Sequence, residues 1–331
     1  MCWIWKRFGR KRGSIAIMLQ RDQFQGAILG LAVGDAVGAK WEGLPPALIF
    51  EMGPADKIVE HASRDMIYYT DDTQMAISVA QTLIDLGKID KHFLAQKFAE
   101  NYHPDRGYGQ GARQIINAIG HGEDWERLAA SIFNGKGSLG NGAAMRVAPI
   151  GIFFAPDLVR VASEAALSAS PTHSHEIGID AARILAVGVA LAAQSAGKLF
   201  DREGFLRELR ATARTEEFQW QLGHALELRR FAPLSSFGNS LEAHRSVTTA
   251  IMCFVDSPDR YDQAIARAIG QGDDVDTLAA MAGALSGARL GLRAIPTQLV
   301  ECLEDQFQGR TFLLELAEEL WRRSDWGQVA G

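Results

Sequence analysis

Cysteine is scarce in this chain: Cys2, Cys253 and Cys302 are the whole supply, odd in number and far apart. They form no CxxC pair, so neither a disulfide framework nor a cysteine-bound zinc site is available, and the usage fits a reducing cytoplasm. No apolar run reaches the roughly 20 residues that cross a bilayer, so stable membrane insertion is not expected. Positive charge is not in excess. The formal net charge of -6 removes the electrostatic case for wrapping nucleic acid or coating an anionic membrane. No GxxxxGK[ST] occurs, which excludes a P-loop. Alternating polarity bounded by hairpin turns is also missing, and only 47–50 and 147–154 read as short apolar strands.

What remains is abundant helix signal. Apolar residues recur at three-and-four spacing over 76–86, 93–102, 111–119, 158–168, 178–194, 218–230, 246–255, 261–269, 278–290 and 312–322, in segments rich in Ala, Leu, Gln and Glu. With 47% hydrophobic residues among 331, the chain can fill a large core. No low-complexity linker or repeat divides it, so an all-helical, compact single domain over 21–325 is expected, with functional loops between helices. Residues 1–20 carry Lys6, Arg7, Arg10, Lys11 and Arg12 beside Trp3 and Trp5. They lack the long apolar stretch of a signal peptide. They read as a disordered basic tail, or as an overextended start with Met18 as the first residue.

Two segments space glycine every fourth residue: Gly26, Gly30, Gly34, Gly38 and Gly283, Gly287, Gly291. Glycine inside a helix costs about 1 kcal/mol relative to alanine, so its repetition on one face implies a close backbone approach. Asp35 and Arg289 interrupt these runs, which favours packing inside a helical core over a membrane dimer. If the two helices pack antiparallel, Glu42 falls beside the start of the second.

That start is one of two acidic clusters, Thr70-Asp71-Asp72-Thr73 and Asp273-Asp274-Val275-Asp276-Thr277, each where a turn hands over to an apolar helix. Asp and Thr cap helices, and a negative charge suits the positive end of the dipole. A cap needs one side chain, whereas each cluster offers at least two carboxylates and a hydroxyl. Oxygen-only density suits Mg²⁺ or Mn²⁺ better than zinc. Spacing alone leaves cap and metal ligand as alternatives; the repetition favours metal. Two glycine-rich segments, Gly107-Tyr108-Gly109-Gln110-Gly111 and Gly135-Lys136-Gly137-Ser138-Leu139-Gly140-Asn141-Gly142, precede helices and read either as plain turns or as anion cradles. His173 and His175 precede another helix, where a histidine is more often a cap than a ligand. Trp41 and Tyr108 suit core packing or base stacking, and Arg146 a structural role or phosphate neutralisation.

Taken together, Gly26-Ala27-Ile28-Leu29-Gly30 through Gly34-Asp35-Ala36-Val37-Gly38 to Glu42, Tyr69-Thr70-Asp71-Asp72-Thr73-Gln74-Met75, Gly140-Asn141-Gly142-Ala143-Ala144-Met145-Arg146, Thr172-His173 and Asp274-Val275-Asp276-Thr277 resemble the ADP-ribosylglycohydrolases. That family includes the dinitrogenase reductase-activating glycohydrolases and the eukaryotic ADP-ribosylarginine and ADP-ribosylserine hydrolases. The resemblance runs in family order from about Gly26 to Gly291. It implies an all-α orthogonal bundle with a binuclear Mg²⁺ or Mn²⁺ centre held by Thr70, Asp71, Asp72, Asp274, Asp276 and Thr277. It further implies Glu42, Asp72 and Asp274 in catalysis, and Gly109, Gly111, Ser138, Leu139, Gly140, Asn141, Gly142, Met145 and His173 around the substrate. The implied reaction releases ADP-ribose from a modified protein side chain, arginine or serine, or from a small ADP-ribose conjugate. A metal-associated water would attack the anomeric carbon, and Glu42 or a liganding Asp would manage the proton. Asp273, Val275 and Leu139 depart from the family pattern. Asp273 stands where glycine is usual, and Leu139 where the serine-specific branch often has an aromatic ring, so the linkage preference stays open. A crystallin-like, inactive relative is the main alternative; a helical phosphohydrolase of the HD type would need a His-Asp dipeptide, which is missing.

Overall fold

A computed structural model describes residues 19–51 and 55–330. Residues 1–18 of the expected basic tail, with the alternative start at Met18, lie outside these residues; Leu19 and Gln20, expected to be part of that tail, are instead buried in the core and at the N-cap of α1 respectively. Eighteen α-helices succeed one another among the described residues, and the only extended pairing is two isolated bridges, Ile67 with Leu303 and Gly140 with Glu242. The first half of the chain supplies α1 (Arg21–Gly38), α2 (Pro46–Glu51), α3 (Ala55–Ala62), α4 (Asp71–Leu86), α5 (Lys91–Asn101), α6 (Gln110–Gly120), α7 (Trp125–Gly135), α8 (Ala148–Phe153) and α9 (Leu158–Ala169). The second supplies α10 (Glu176–Gln194), α11 (Arg202–Thr212), α12 (Glu216–Glu227), α13 (Ala243–Asp256) and α14 (Tyr261–Ile269), then α15 (Val275–Leu290), α16 (Thr297–Cys302), α17 (Arg310–Arg323) and α18 (Asp325–Ala330).

Both segments expected as strands are helical: 47–50 lies in α2 and 147–154 spans α8. Every residue of α8 is buried. A helix covered on all sides carries no polar stripe, so its periodicity is invisible and a short apolar run mimics a strand.

The centre of the molecule is the seam between α1 and α15, which are buried on all sides for most of their length. A Cβ at Gly26 would lie 2.3 Å from the Gly287 carbonyl oxygen, at Gly30 2.4 Å from that of Gly283, and at Gly34 2.2 Å from that of Ala279. The descending numbers on one helix against ascending numbers on the other show antiparallel packing, as the glycine pattern predicts. The Tyr261 hydroxyl donates to the Gly30 carbonyl at 2.8 Å and closes one flank. At the far end, the Gln23 amide donates to the carbonyls of Ala193 and Ala288, tying α1 to α10 and α15. The seam therefore fixes where the C-terminus of α1 meets the N-terminus of α15. A Cβ at Gly38 would lie 2.5 Å from Cα of Asp276.

Candidate active site

Three helix ends converge there: the last turn of α1 and the first turns of α4 and α15. Asp35, one turn before the end of α1, is fully buried. Its carboxylate accepts the Thr70 N–H at 2.9 and 3.0 Å, the Thr70 hydroxyl at 2.8 Å, the Thr73 N–H at 3.0 Å and the Thr73 hydroxyl at 2.6 Å. These bonds satisfy the open N–H groups at the start of α4 from another helix. Neither Thr70 nor Asp274 uses its own side chain to cap the helix it precedes. The capping alternative thus fails for both, and their oxygens are directed elsewhere.

Oxygens of Asp35, Asp72 and Asp276 all lie within 4.8 Å of one another. The Thr70 and Thr277 hydroxyls each stand 3.4 Å from Oδ2 of Asp72, while its Oδ1 is buried with no hydrogen-bond partner. Asp274 accepts from the Asn141 amide at 2.6 Å, and the same nitrogen reaches the Ser246 hydroxyl at 3.2 Å. Burial is the first cause of a raised carboxyl pKa throughout: Asp35 rises to about 6 against the pull of the Thr73 and Thr70 bonds. Asp71 rises to about 7, with Asp35 adding to burial. Asp276 rises to about 9, where Asp274, Asp35 and Glu42 add to burial, and Asp72 is held well above the carboxylate range. So many buried acids cannot all ionise unaided. An oxygen-only donor set with an orphaned buried carboxylate oxygen fits a hard divalent cation.

Glu42 sits exposed beyond the end of α1, and burial of part of its surface, then Asp274, raises its pKa. Its loop is pinned to the second cluster: the Gly43 N–H donates to the Asp273 carbonyl at 2.9 Å, and the Asp273 N–H to that of Leu44 at 3.0 Å. Asp273 adopts φ +60°, the left-handed conformation in which glycine is most at ease.

The first glycine segment passes beside the start of the first acidic cluster: a Cβ on Gly107 would lie 3.8 Å from that of Thr70. Gly109 then caps α6 and Gly111 lies in its first turn. In the second segment, the Asn141 N–H donates to the Leu241 carbonyl and the Ala243 N–H to that of Leu139. Leu139 packs against the core and Met145 is buried in it; Ser138 keeps its hydroxyl on the Gly140 N–H at 3.2 Å. His173 is buried behind Gly140 and Gly142. Its Nδ1 stands 2.7 Å from the Thr172 hydroxyl, which accepts from Arg146 at 2.9 Å. The buried ring also pairs with the Gly140 backbone carbonyl. Burial, then Arg146, pulls the His173 pKa down to about 3. His173 therefore braces the loop from inside. Arg146 is buried over the Phe98 ring, so its role is structural. His175 caps α10, and Trp41 and Tyr108 belong to the core.

Sequence reasoning missed Asp35, Ser246 and Phe133. The signal for Asp35 was an acid inside an otherwise apolar helix. Phe133 is 62% exposed with φ +52°, and its ring lies 3.8 Å from the position of a Gly111 Cβ. The exposed ring therefore lies beside the first turn of α6.

The sequence matches the pattern of the ADP-ribosylglycohydrolase family over residues 18–329. It is 34% identical over 340 residues to the ADP-ribosylhydrolase ARH3 of Gallus gallus, covering 87% of this chain and 91% of that protein. It is 28% identical over 318 residues to the ADP-ribosylarginine hydrolase Tri1 of Pseudomonas putida, covering 92% and 79%. A solved ADP-ribosylglycohydrolase-related protein complex has the same fold, with a TM-score of 0.70 over 92% of this chain and 98% of that one at 24% identity. A buried acidic centre at the end of a glycine seam and a pattern match of this length lead to one conclusion: the chain belongs to the ADP-ribosylglycohydrolase family.

Proposed function

We propose that this protein is a divalent-metal-dependent hydrolase that cleaves the bond between the ribose anomeric carbon of ADP-ribose and a modified side chain, arginine or serine, or a related leaving group. The observation that carries the reading is the acidic centre itself. Its acids are too buried and too close to carry their charges without a cation, and Oδ1 of Asp72 has no partner. Thr70, Asp71, Asp72, Asp274, Asp276 and Thr277 would hold a pair of Mg²⁺ or Mn²⁺ ions, which supply positive charge to orient ribose hydroxyls and acidify water.

The remaining steps fall to the chain. Asp35 sets the Thr70 and Thr73 hydroxyls, and Asn141 holds Asp274 in one rotamer. Glu42, with its raised pKa, takes a proton from the attacking water and returns it to the leaving atom. Cleavage builds positive charge on the sugar ring, and the surrounding carboxylates favour that charge. The N–H groups at the start of α6 would take the pyrophosphate, and the exposed Phe133 ring offers a surface for the adenine.

Incubating the protein with arginine- and serine-linked ADP-ribosyl peptides and Mg²⁺ or Mn²⁺, while following free ADP-ribose, tests the proposal. Release that disappears in Asp72→Ala is expected. Glu42→Gln should lower kcat by about 10²- to 10⁴-fold with little change in ADP-ribose binding. No release from either peptide, together with no ADP-ribose binding, would sink the reading.

A further inference from the structure

The segment that delivers Thr70, Asp71 and Asp72 is not held by the acidic centre alone. Residues 302–310, beyond the last family motif, run beside it. The Ile67 N–H donates to the Cys302 carbonyl at 2.9 Å, and the Glu304 N–H to that of Ile67 at 3.0 Å. The Glu304 side chain is buried and accepts the Tyr69 N–H at 3.2 Å. It also forms a two-pronged pair with Arg106, at 2.5 and 3.0 Å. Arg106 lies 3.9 Å over the Tyr69 ring and donates to the Tyr69 carbonyl at 2.7 Å. The Tyr69 hydroxyl in turn donates to the Gln308 carbonyl at 3.2 Å.

The peptide group joining Tyr69 to Thr70 is thus gripped at both ends. Its oxygen is held by Arg106, and its N–H by both oxygens of Asp35. That peptide enters α4, so its plane sets the direction in which Thr70, Asp71 and Asp72 project. Arg106 is also the residue before Gly107, whose backbone passes close enough to Thr70 that an added Cβ would lie 3.8 Å from the Thr70 Cβ, so the same side chain ties the first glycine segment to the Tyr69–Thr70 peptide. We infer that Arg106 and Glu304 are positioning residues for the metal centre. They act through the Tyr69–Thr70 peptide and touch neither metal nor substrate. This inference rests on the metal-binding reading above.

The test follows metal binding, not turnover alone. Thermal shift and titration calorimetry with Mg²⁺ and Mn²⁺ would be run on wild type, Glu304→Gln, Arg106→Lys and the paired Arg106→Met/Glu304→Leu. The paired variant removes the clamp without leaving a buried charge unmatched, so it is the one expected to fold best. Arg267→Met, which strips the partner from buried Asp256 away from the centre, controls for general destabilisation. The half-saturating metal concentration should rise about 10- to 100-fold in the paired variant, the range seen when groups behind metal ligands are removed. The rise should be smaller in Arg106→Lys, which keeps one donor, and absent in Arg267→Met even though its Tm falls. A paired variant that saturates at the wild-type concentration would overturn the clamp and leave the metal reading standing. A wild type indifferent to both metals would remove both.

Discussion

Asp35 shows how a single side chain can organise a site without being foreseeable as part of it. On the page it interrupts an apolar helix; in space it receives two hydroxyls and two N–H groups from the start of α4. The other acids were legible because each cluster concentrates oxygen in a few residues, and the structure brings Asp72 and Asp276 together with Asp35. Sequence spacing carries no record of which partner a lone buried acid will find. The raised pKa values have a sign. For Asp276, about 9 in the fold against about 3.8 when unfolded, the native state holds the extra proton between those values. Metal-free stability therefore falls as pH rises across that window. In chelated protein, Asp276→Asn should flatten the decline of Tm between pH 5 and pH 8, and should abolish the Tm rise produced by Mg²⁺ or Mn²⁺. Asp273 makes a separate prediction. Its φ of +60° tolerates Asp but not a β-branched residue. Asp273→Val should cost about 1–2 kcal/mol by calorimetry, whereas Asp273→Asn should leave Tm nearly unchanged.

Helices with one wet face announce themselves, and α14 occupies the 261–269 window that periodicity marks out. Helices at the extremes do not. α8 is wholly buried and reads in sequence as a strand, while α11 carries so many charges that its thin apolar face, Phe205, Leu206 and Leu209, gives no clear helical period. The glycine pairs of α1 and α15 were the most informative elements, because their spacing gave both contact and direction. They also concentrate risk. Gly30→Ala would drive a methyl to within 2.4 Å of the Gly283 oxygen, a backbone atom that no rotamer change can move aside. The expected cost is about 1–3 kcal/mol or more, read as a lower Tm. Gly38→Ala meets Cα of Asp276 instead, so it should also weaken metal-induced stabilisation. An equal Tm in Gly30→Ala and wild type would show that the seam is looser than its contacts require.

The chain as a whole ties its beginning to its end. α1 packs on α15, and one hydrophobic cluster runs from Leu19 to Leu320. No described helix is long and apolar enough to cross a membrane. If residues 21–325 form one cooperative unit, scanning calorimetry should show a single transition that moves intact to higher temperature with metal, reflecting a stabilisation of about 2.7 kcal/mol at a hundredfold excess over Kd. Two transitions, only one of them metal-sensitive, would contradict this. The division of the acids along the chain also sets a schedule. Asp72 and Thr277 meet across 205 positions. At ribosomal speeds of roughly 5–20 residues per second, the first carboxylates wait about 10–40 s for the second set to be synthesised. On the metal-binding reading proposed above, loading with cations would come among the last acts of biogenesis, and a prematurely terminated translation product would lack the second set of carboxylates.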